Sequence, residues 1–325
     1  MQITGNHHVT AIASDAQKNF DFVTRTLGIR LVKKTVNQDD IHAYHMFYAD
    51  DVGSPGTDLT FFDFPGIPKG RHGTDEISRI GLRVPSNAAI SYWEKRFTAL
   101  NVPFERLGVF GQAALYFVDP DGQQYGLYSD DGLNRSPKGN AWDKSPVPNE
   151  FQILGLGPMT LNVSQKEAMD HVLTTHLKYH PVASEGTQTL YEVEPGGNGN
   201  RLIVTALDGP AAQQGYGTVH HIAFKIKDRD ELDQWANYFT NIRAPHSGFV
   251  DRFYFKSLYT RLYKPILFEL ATEGPGFIDD EETYETLGLD LALPPKLRPM
   301  KETIKAQIKP VNTHIPDDGF PKETY

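Results

Sequence analysis

The sequence predicts an α+β fold built from four copies of one βαβββ module, and two observations lead to that prediction. First, apolar strand-like segments recur at residues 6–13, 77–84, 156–163 and 219–226. Second, each is followed by a helix-like stretch and then by two or three further strand-like segments. Polar residues that can cap a helix come directly after the opening strands, at Ser14-Asp15, Ser86-Asn87, Ser164 and Asp228.

The later parts of the modules follow the same order. Apolar residues three or four positions apart, Phe20, Val23 and Leu27, indicate a helix in the first module. In the second module the strands 113–118 and 124–128 are joined by the sequence Asp-Pro-Asp-Gly, which predicts a turn because proline fixes φ and glycine accepts a positive φ. In the fourth module we expect strands at 253–263 and 266–270.

The length of 325 residues suits two domains of about 140 residues, each with its own core. We expect an N-terminal domain at residues 1–130 with two modules and a C-terminal domain at 150–290 with the other two. Residues 129–149, rich in Gly, Pro, Ser and Asp, are the predicted linker, and residues 291–325 are a tail. The acidic run at 279–282 is expected to form a solvated surface.

Composition removes several classes of function. The absence of cysteine excludes disulfides, thiolate zinc sites, iron–sulfur clusters and a cysteine nucleophile. The formal net charge of −9 argues against a nucleic-acid partner. No segment reaches the roughly 20 apolar residues of a membrane span, and no secretion signal is visible. We expect a cytoplasmic enzyme for a small molecule, with no membrane partner; a homo-oligomer is compatible with this reading.

Two His-His pairs, at 7–8 and 220–221, occupy the same place in the first and fourth modules. Chance placement of 12 histidines predicts fewer than one such pair. When the four opening strands are aligned, one position holds His8, Arg79, Pro158 and His221, and the matching position of the last strands holds a residue near Phe61, then Gly126, Val204 or Thr205, and Glu269. Three of these residues can bind a metal: His8, His221 and Glu269.

Two imidazoles and one carboxylate form the facial triad of non-heme Fe(II) oxygenases, which leaves the opposite face free for substrate and O₂. Strand alternation places His8 with Thr10 on one face, whereas His220 shares the apolar face that should meet a helix. Two interpretations are open for His7 and His220. Either they are hydrogen-bonded histidines near the sheet edge, or a local bulge turns them inward, where they support the ligands or act as general acid or base.

The four modules resemble the vicinal oxygen chelate superfamily, which includes the glyoxalases and bleomycin-resistance proteins, over about residues 5 to 290. In that superfamily the two aligned positions face a metal in a concave sheet. A glyoxalase-type isomerase normally takes four protein ligands, two of them Glu or Gln, and Gly126 vacates one such place. The count of three therefore favours oxygen activation over isomerisation.

The ligand pattern is similar to that of the bacterial hydroquinone and chlorohydroquinone ring-cleaving dioxygenases. Common catechol dioxygenases take their metal ligands from the third and fourth modules. In this sequence the third module has Pro158-Met159 at that place, so the first histidine ligand must come from the first module. The residues that carry the resemblance are His7-His-Val-Thr10, the segment 44–57, Val219-His-His-Ile-Ala223, Asp251-Arg252, Tyr259 and Phe268-Glu269.

This resemblance implies Fe(II), with Mn(II) as the alternative, and a para-dihydroxylated ring bound through one hydroxylate and opened with O₂. Arg252 and Tyr259 would line the substrate pocket, where Arg252 stabilises an oxyanion and Tyr259 donates a hydrogen bond. His220 would assist removal of the hydroxyl proton. Because 252 and 259 differ in parity, a turn must lie between them. The alternatives are a surface ion pair of Arg252 with Asp251 and a core position for Tyr259.

Three other functions compete. A catechol-type extradiol dioxygenase would use the same triad, and substrate profiling would separate the two. A metal-dependent isomerase or lyase of the glyoxalase type would require a fourth protein ligand. A binding or resistance module without chemistry would bind its ligand equally well after removal of the metal.

Overall fold

The computed structural model describes residues 1–133, 136–279 and 281–325, and the four-module α+β fold is confirmed. Module 1 contains β1 (Asn6–Ile12), α1 (Ala16–Phe20) continued by a π-helical segment (Asp21–Thr26), β2 (Arg30–Val36), β3 (Tyr44–Ala49) and β4 (Asp58–Asp63). Module 2 contains β5 (Glu76–Val84), α2 (Asn87–Ala99), β6 (Phe104–Val109), β7 (Gln112–Val118) and β8 (Gln124–Ser129).

Module 3 contains β9 (Gly155–Leu156), β10 (Met159–Val163), α3 (Lys166–His171) with a π-helical segment (Val172–His176), β11 (His180–Glu185), β12 (Gln188–Glu192) and β13 (Arg201–Ala206). Module 4 contains β14 (Val219–Ile226), α4 (Arg229–Asn241), β15 (Val250–Asp251), β16 (Lys256–Thr260) and β17 (Phe268–Thr272). The tail carries α5 (Lys301–Gln307), and single 3₁₀ turns lie at Asn149–Phe151, Asn198–Asn200, Tyr284–Thr286 and Arg298–Met300. No helix among the described residues is both long and apolar enough to cross a membrane.

Three helices begin at the predicted caps. The side chains of Asp15, Ser86 and Asp228 each accept a hydrogen bond from the backbone N–H three residues later. The prediction for Ser164 was wrong: α3 follows Gln165, and the Ser164 hydroxyl donates to the carboxylate of Asp75 at 2.9 Å instead. This contact joins modules 3 and 2, and sequence spacing alone does not reveal it.

Several strand boundaries also differ from the prediction. The sequence analysis missed β6 and β11, which lie at a sheet edge with half or more of their side chains exposed, so that neither carries a continuous apolar pattern. The opening strand of module 3 is interrupted between β9 and β10 at Gly157-Pro158. The long strand expected at 253–263 is shortened to Lys256–Thr260, because a turn precedes it.

The modules pair across the chain rather than along it. One sheet has the order β2-β3-β4-β1-β14-β17-β16-β15, and the other has the order β6-β7-β8-β5-β10-β13-β12-β11, with β9 also paired to β5. Within each module the first strand is parallel to the last, and the two modules of a sheet meet through antiparallel first strands. Module 1 thus joins module 4, and module 2 joins module 3.

The domain bounds 1–130 and 150–290 stay predictions, and the two modules expected in each of them lie in different sheets. Each sheet takes one module from either side of the 129–149 segment. The repeat pattern identifies the modules, but all four opening strands are apolar and β-prone, so the pattern does not specify which of them pair. The consequence for function is direct: β1 and β14, which carry the two His-His pairs, are neighbouring strands.

The side of the first sheet that packs on helices is apolar. Val9 on β1, Ile222 and Phe224 on β14, and Trp235 and Phe239 on α4 are all at most 1% exposed. Burial of such side chains contributes about 1.5–3 kcal/mol each. The opposite face of the same strands carries the polar residues described below.

The tail packs along the first sheet. Leu291 forms a bridge with Lys34 on β2, and the Lys34 ammonium donates to the Thr313 hydroxyl at 2.8 Å. Further on, Glu323 forms an ion pair with the buried Arg96 on α2. The tail therefore contacts both module 1 and module 2.

The acidic run at 279–282 is not a solvated surface, so that expectation was wrong. Glu282 is 3% exposed and lies 2.5 Å from the ammonium of the fully buried Lys33 on β2. Glu281 contacts Lys301 on α5. Asp280 lies outside the described residues. The acidic side chains near the tail neutralise a cation inside the protein, which a buried ammonium requires.

Candidate metal centre

Two β-bulges interrupt the ladder between β1 and β14, and each carries one histidine as its extra residue. The pairing on β1 skips from Asn6 to His8, which leaves His7 unpaired. On β14 the same happens to His220, just before His221. A bulge re-aims the side chain of its extra residue. Adjacent histidines can therefore face the same side of the sheet, against simple alternation.

The structure brings His8, His221 and Glu269 together at the centre of the first sheet. All three are buried, at 2%, 4% and 0% exposed. Oε2 of Glu269 lies 3.1 Å from Nε2 of His8 and 2.9 Å from Nε2 of His221, and the two Nε2 atoms are 3.2 Å apart. Among the described residues they form the one cluster of His, Asp and Glu side chains whose ligand atoms could surround an ion.

The donor set fits a divalent cation. Neither carboxylate oxygen of Glu269 accepts a well-oriented hydrogen bond from a described residue, although both imidazoles are close. Buried polar atoms without a hydrogen-bond partner indicate that a ligand or ion normally binds them. Two ligands at right angles around an ion, with bonds of about 2.1 Å, lie about 3 Å apart, which matches the three separations. Two imidazoles and a carboxylate suit Fe(II), Mn(II) and other first-row ions.

The charge state of the cluster also suits a metal. Burial alone would raise the pKa of Glu269, but the neighbouring His8 and His221 hold that pKa well below its usual range. Burial lowers the pKa of His221. The carboxylate is thus ionised and the His221 imidazole neutral at pH 7, as metal ligation requires.

His7 fixes the orientation and tautomer of His8. Nε2 of His7 lies 3.0 Å from the backbone carbonyl of Thr272, and its Nδ1 lies 2.9 Å from Nδ1 of His8. A carbonyl only accepts, so Nε2 of His7 carries the proton and Nδ1 of His7 accepts. His8 then donates through Nδ1, and its Nε2 lone pair faces Glu269 and His221.

His220 stands in the same relation to His221. The two Nδ1 atoms are 2.7 Å apart, and the His220 ring packs edge-on against Phe62. The expectation that His220 lies on the apolar face against a helix was wrong, because the bulge turns it toward the cavity. Burial lowers the pKa of both His7 and His220 to about 3, so that both rings are neutral at pH 7.

A cavity of about 370 Å³ opens beside the cluster. Aromatic side chains form much of its wall: Phe47, Phe62, Phe64, Tyr254, Phe255 and Tyr259. The Thr10 hydroxyl lies 3.2 Å from Nε2 of His221, at the same end as the cluster. A pocket of this size with aromatic walls and polar groups at one end suits a single aromatic ring.

Arg252 and Tyr259 meet at the cavity wall, as a turn between them allows. Residues 252–255 form that turn, and Nε of Arg252 donates to the Tyr259 hydroxyl at 3.0 Å. Arg252 forms its ion pair with Asp39 at 2.9 Å rather than with Asp251, so that alternative was wrong. Tyr259 is opposite Glu269 in the ladder, and its ring is 5.9 Å from that of His221.

The second sheet does not repeat the cluster. The guanidinium of Arg79 lies 3.8 Å from the centre of the Tyr116 ring. The ring of Tyr128 fills the space at Gly126, where a Cβ atom would meet it at 2.7 Å. Aromatic side chains thus occupy the place that corresponds to the metal centre, as expected from the absence of ligand residues at these positions.

Sequence reasoning missed His45, which also lines the cavity. It lies on β3, and the alignment of opening and closing strands gave it no role. The signal in the sequence was weak, because one histidine within an otherwise apolar strand predicts no particular function.

The comparisons with known proteins agree with this geometry. The family model described as the Glyoxalase/Bleomycin resistance protein/Dioxygenase superfamily matches residues 5–125. The Bacillus subtilis (strain 168) protein named "Putative ring-cleaving dioxygenase MhqA" is 42% identical over 318 residues, which cover 96% of this chain and 100% of that protein. The chain belongs to this superfamily.

Three further proteins extend the comparison. The "Chlorohydroquinone/hydroquinone 1,2-dioxygenase" of Sphingobium indicum is 30% identical over 93% of this chain and 95% of its own length. A crystal structure titled as a putative dioxygenase from Bacillus subtilis superposes with a TM-score of 0.88 at 32% identity, over 96% of this chain and 99% of that one. Maize glyoxalase I, at 13% identity and a TM-score of 0.57, covers 82% of this chain and 91% of its own and shares the fold.

We expect His7→Phe to lower the affinity for Mn(II) or Fe(II) by about 10- to 100-fold, because His8 loses the acceptor that orients it. The phenyl ring keeps the contact with Phe255, whose ring centre lies 5.2 Å from that of His7. The measurement is an anaerobic competition titration against a chelator. As a matched control, His176→Phe removes a half-buried histidine from module 3 and should leave the affinity unchanged. An unaltered affinity in His7→Phe would show that His8 needs no such support.

Proposed function

We propose that this protein is an Fe(II)-dependent dioxygenase that opens para-dihydroxylated, hydroquinone-type rings with O₂, with Mn(II) as the alternative metal. The observation that carries the proposal is the convergence of His8, His221 and Glu269, at 2.9 to 3.2 Å from one another, beside an aromatic cavity. The names of the relatives support ring cleavage, and one of those names specifies hydroquinone.

When bound, Fe(II) would supply the activation of O₂ and would favour loss of a proton from a ring hydroxyl. His8, His221 and Glu269 would hold it on one side and leave the cavity side open. His7 and His220 would hold the imidazoles in the ligating tautomer. Their contribution is therefore orientation.

The same geometry supports roles for Tyr259, Arg252 and Thr10 in substrate binding. Because the Tyr259 hydroxyl accepts from Arg252, its own proton is left to donate to a ring oxygen in the cavity. Asp39 holds the guanidinium of Arg252 at the cavity wall, where its charge would stabilise an oxyanion. The Thr10 hydroxyl, next to His221, would contact the substrate near the metal.

The rival functions fit less well. A glyoxalase-like isomerase would require a fourth ligand, and the cluster among the described residues has three. A catechol-type dioxygenase would use the same cluster, and the substrate decides between the two. A location in the cytoplasm and assembly into a homo-oligomer stay predictions from the sequence.

The test is O₂ uptake by metal-stripped protein to which Fe(II) has been added under argon, with methylhydroquinone and catechol assayed in parallel. We expect stoichiometric uptake and a ring-opened product with the hydroquinone. His221→Ala should abolish both, and His180→Ala, which removes an exposed histidine on β11, should not. Uptake with catechol alone would assign the protein to the ordinary extradiol class. No uptake with either substrate, with Fe(II) or with Mn(II), would contradict the proposal.

A further inference from the structure

His45 occupies the wall of the cavity on β3, two strands away from β1. Its ring lies between those of Phe47 and Phe62, with centre-to-centre distances of 3.9 and 4.4 Å. An imidazole packed between two aromatic rings has little rotational freedom. The ring therefore presents its nitrogens in fixed directions.

A row of hydroxyl groups connects His45 with the metal centre. Nε2 of His45 lies 3.1 Å from Oγ1 of Thr60, which lies 2.7 Å from Oγ1 of Thr10, and Thr10 lies 3.2 Å from Nε2 of His221. Thr10 pairs with both Thr60 and His221 in the sheet, so the row runs straight across β4, β1 and β14. His45 thus stands at one end of this row and the metal ligands at the other.

The other ring nitrogen of His45 is available to a ligand. Among the described residues, Nδ1 of His45 has no hydrogen-bond partner, whereas Nε2 is bound to Thr60. Burial lowers the pKa of His45, so the ring is neutral and carries one proton. Because the Thr60 hydroxyl can donate or accept, Nδ1 can do either as well. His45 lines the cavity, so its unpaired nitrogen is expected to bind a polar group of the occupant.

We propose that Nδ1 of His45 binds the ring hydroxyl that is remote from the metal, and that this contact selects para-dihydroxylated rings. The inference rests on the proposed function, because it takes the first hydroxyl to be at the metal. In a hydroquinone the second oxygen lies across the full width of the ring. In catechol the two oxygens are adjacent and both face the metal end, and phenol lacks the second oxygen. His45 is in this role a specificity-determining residue.

The test measures binding of hydroquinone and of phenol by isothermal titration calorimetry under argon, with the protein as purified and after addition of Fe(II). We expect wild-type protein to prefer hydroquinone. His45→Phe keeps the packing between Phe47 and Phe62 but removes both nitrogens, so hydroquinone affinity should fall about 3- to 10-fold while phenol affinity is unchanged. His180→Phe, on the exposed strand β11, is the matched control.

Two amide variants separate recognition by Nδ1 from a structural role of Nε2. The amide of Asn is close to the position of Nδ1, so His45→Asn should keep most of the preference. The longer Gln reaches toward Thr60 as Nε2 does, so His45→Gln should lose the preference and keep the melting temperature. The reverse order, or an equal loss of affinity for both ligands, would overturn the inference. Because binding is measured without O₂, this result is independent of whether the ring is cleaved.

Discussion

Glu269→Gln is expected to eliminate O₂ uptake and to weaken binding of the metal more than the 10- to 100-fold typical of a residue outside the ligand sphere. The amide lacks the negative charge that balances a divalent cation, and its nitrogen cannot ligate. The metal-free protein should stay folded, because Gln has the same shape as the fully buried Glu269 side chain and leaves no cavity. Loss of the metal and loss of the fold are thus separable.

Thermal unfolding with and without metal measures this difference. A ligand at a hundred times its dissociation constant stabilises a protein by about 2.7 kcal/mol. Wild-type protein should gain stability on addition of Fe(II) or Mn(II) under argon, and Glu269→Gln should gain almost none. Glu192→Gln is the matched control, since Glu192 is a buried carboxylate that pairs with Arg201 in the other sheet. If Glu269→Gln still gained stability on addition of the metal, Glu269 would not be one of the metal ligands.

The cluster could be predicted because the repeat makes distant positions equivalent. His8 and His221 occupy the same place in modules 1 and 4, and Glu269 lies on the closing strand of module 4. This comparison needs only the order of strands within a module, which apolar patterning indicates well. The structure then places the three side chains within about 3 Å of one another.

The positions of His7 and His220 could not be predicted in the same way. A bulge shifts the register by one residue, and the energy that decides its place comes from pairing between β1 and β14 across more than 200 positions of the chain. Alternation therefore assigned His220 to the wrong face. The sequence also does not show which modules pair with each other, because all four opening strands are apolar and β-prone.

The buried lysine of β2 is a second feature that the sequence conceals. Lys33 lies in a strand of mixed polar and apolar residues, and a charged residue in a strand is ordinarily exposed to water. In the structure it is fully buried, and its counter-ion Glu282 is contributed by a segment far along the chain. Its ammonium also lies 5.0 Å from the centre of the ring of Tyr254, which lines the cavity. The segment before the tail thus supports a wall of the candidate active site.

Lys33→Met is expected to lower the free energy of unfolding by about 3 kcal/mol at pH 8, because it leaves Glu282 buried without its counter-ion. Burial already raises the pKa of Glu282, with Lys33 opposing that effect, so removal of the lysine should raise this pKa further. A carboxyl group whose pKa is higher in the folded state costs stability as pH rises above its unfolded pKa. The loss should therefore be smaller at pH 5 than at pH 8.

Urea denaturation at the two pH values measures these losses, and the double variant Lys33→Met/Glu282→Gln is the decisive comparison. With no charge left uncompensated, its stability should return to within about 1 kcal/mol of wild type at both pH values. Glu281→Gln, which removes a more exposed carboxylate paired with Lys301, should cost less than about 1 kcal/mol. If Lys33→Met and the double variant were equally unstable, the lost packing of the lysine chain over Tyr254, rather than the unpaired charge, would account for the effect.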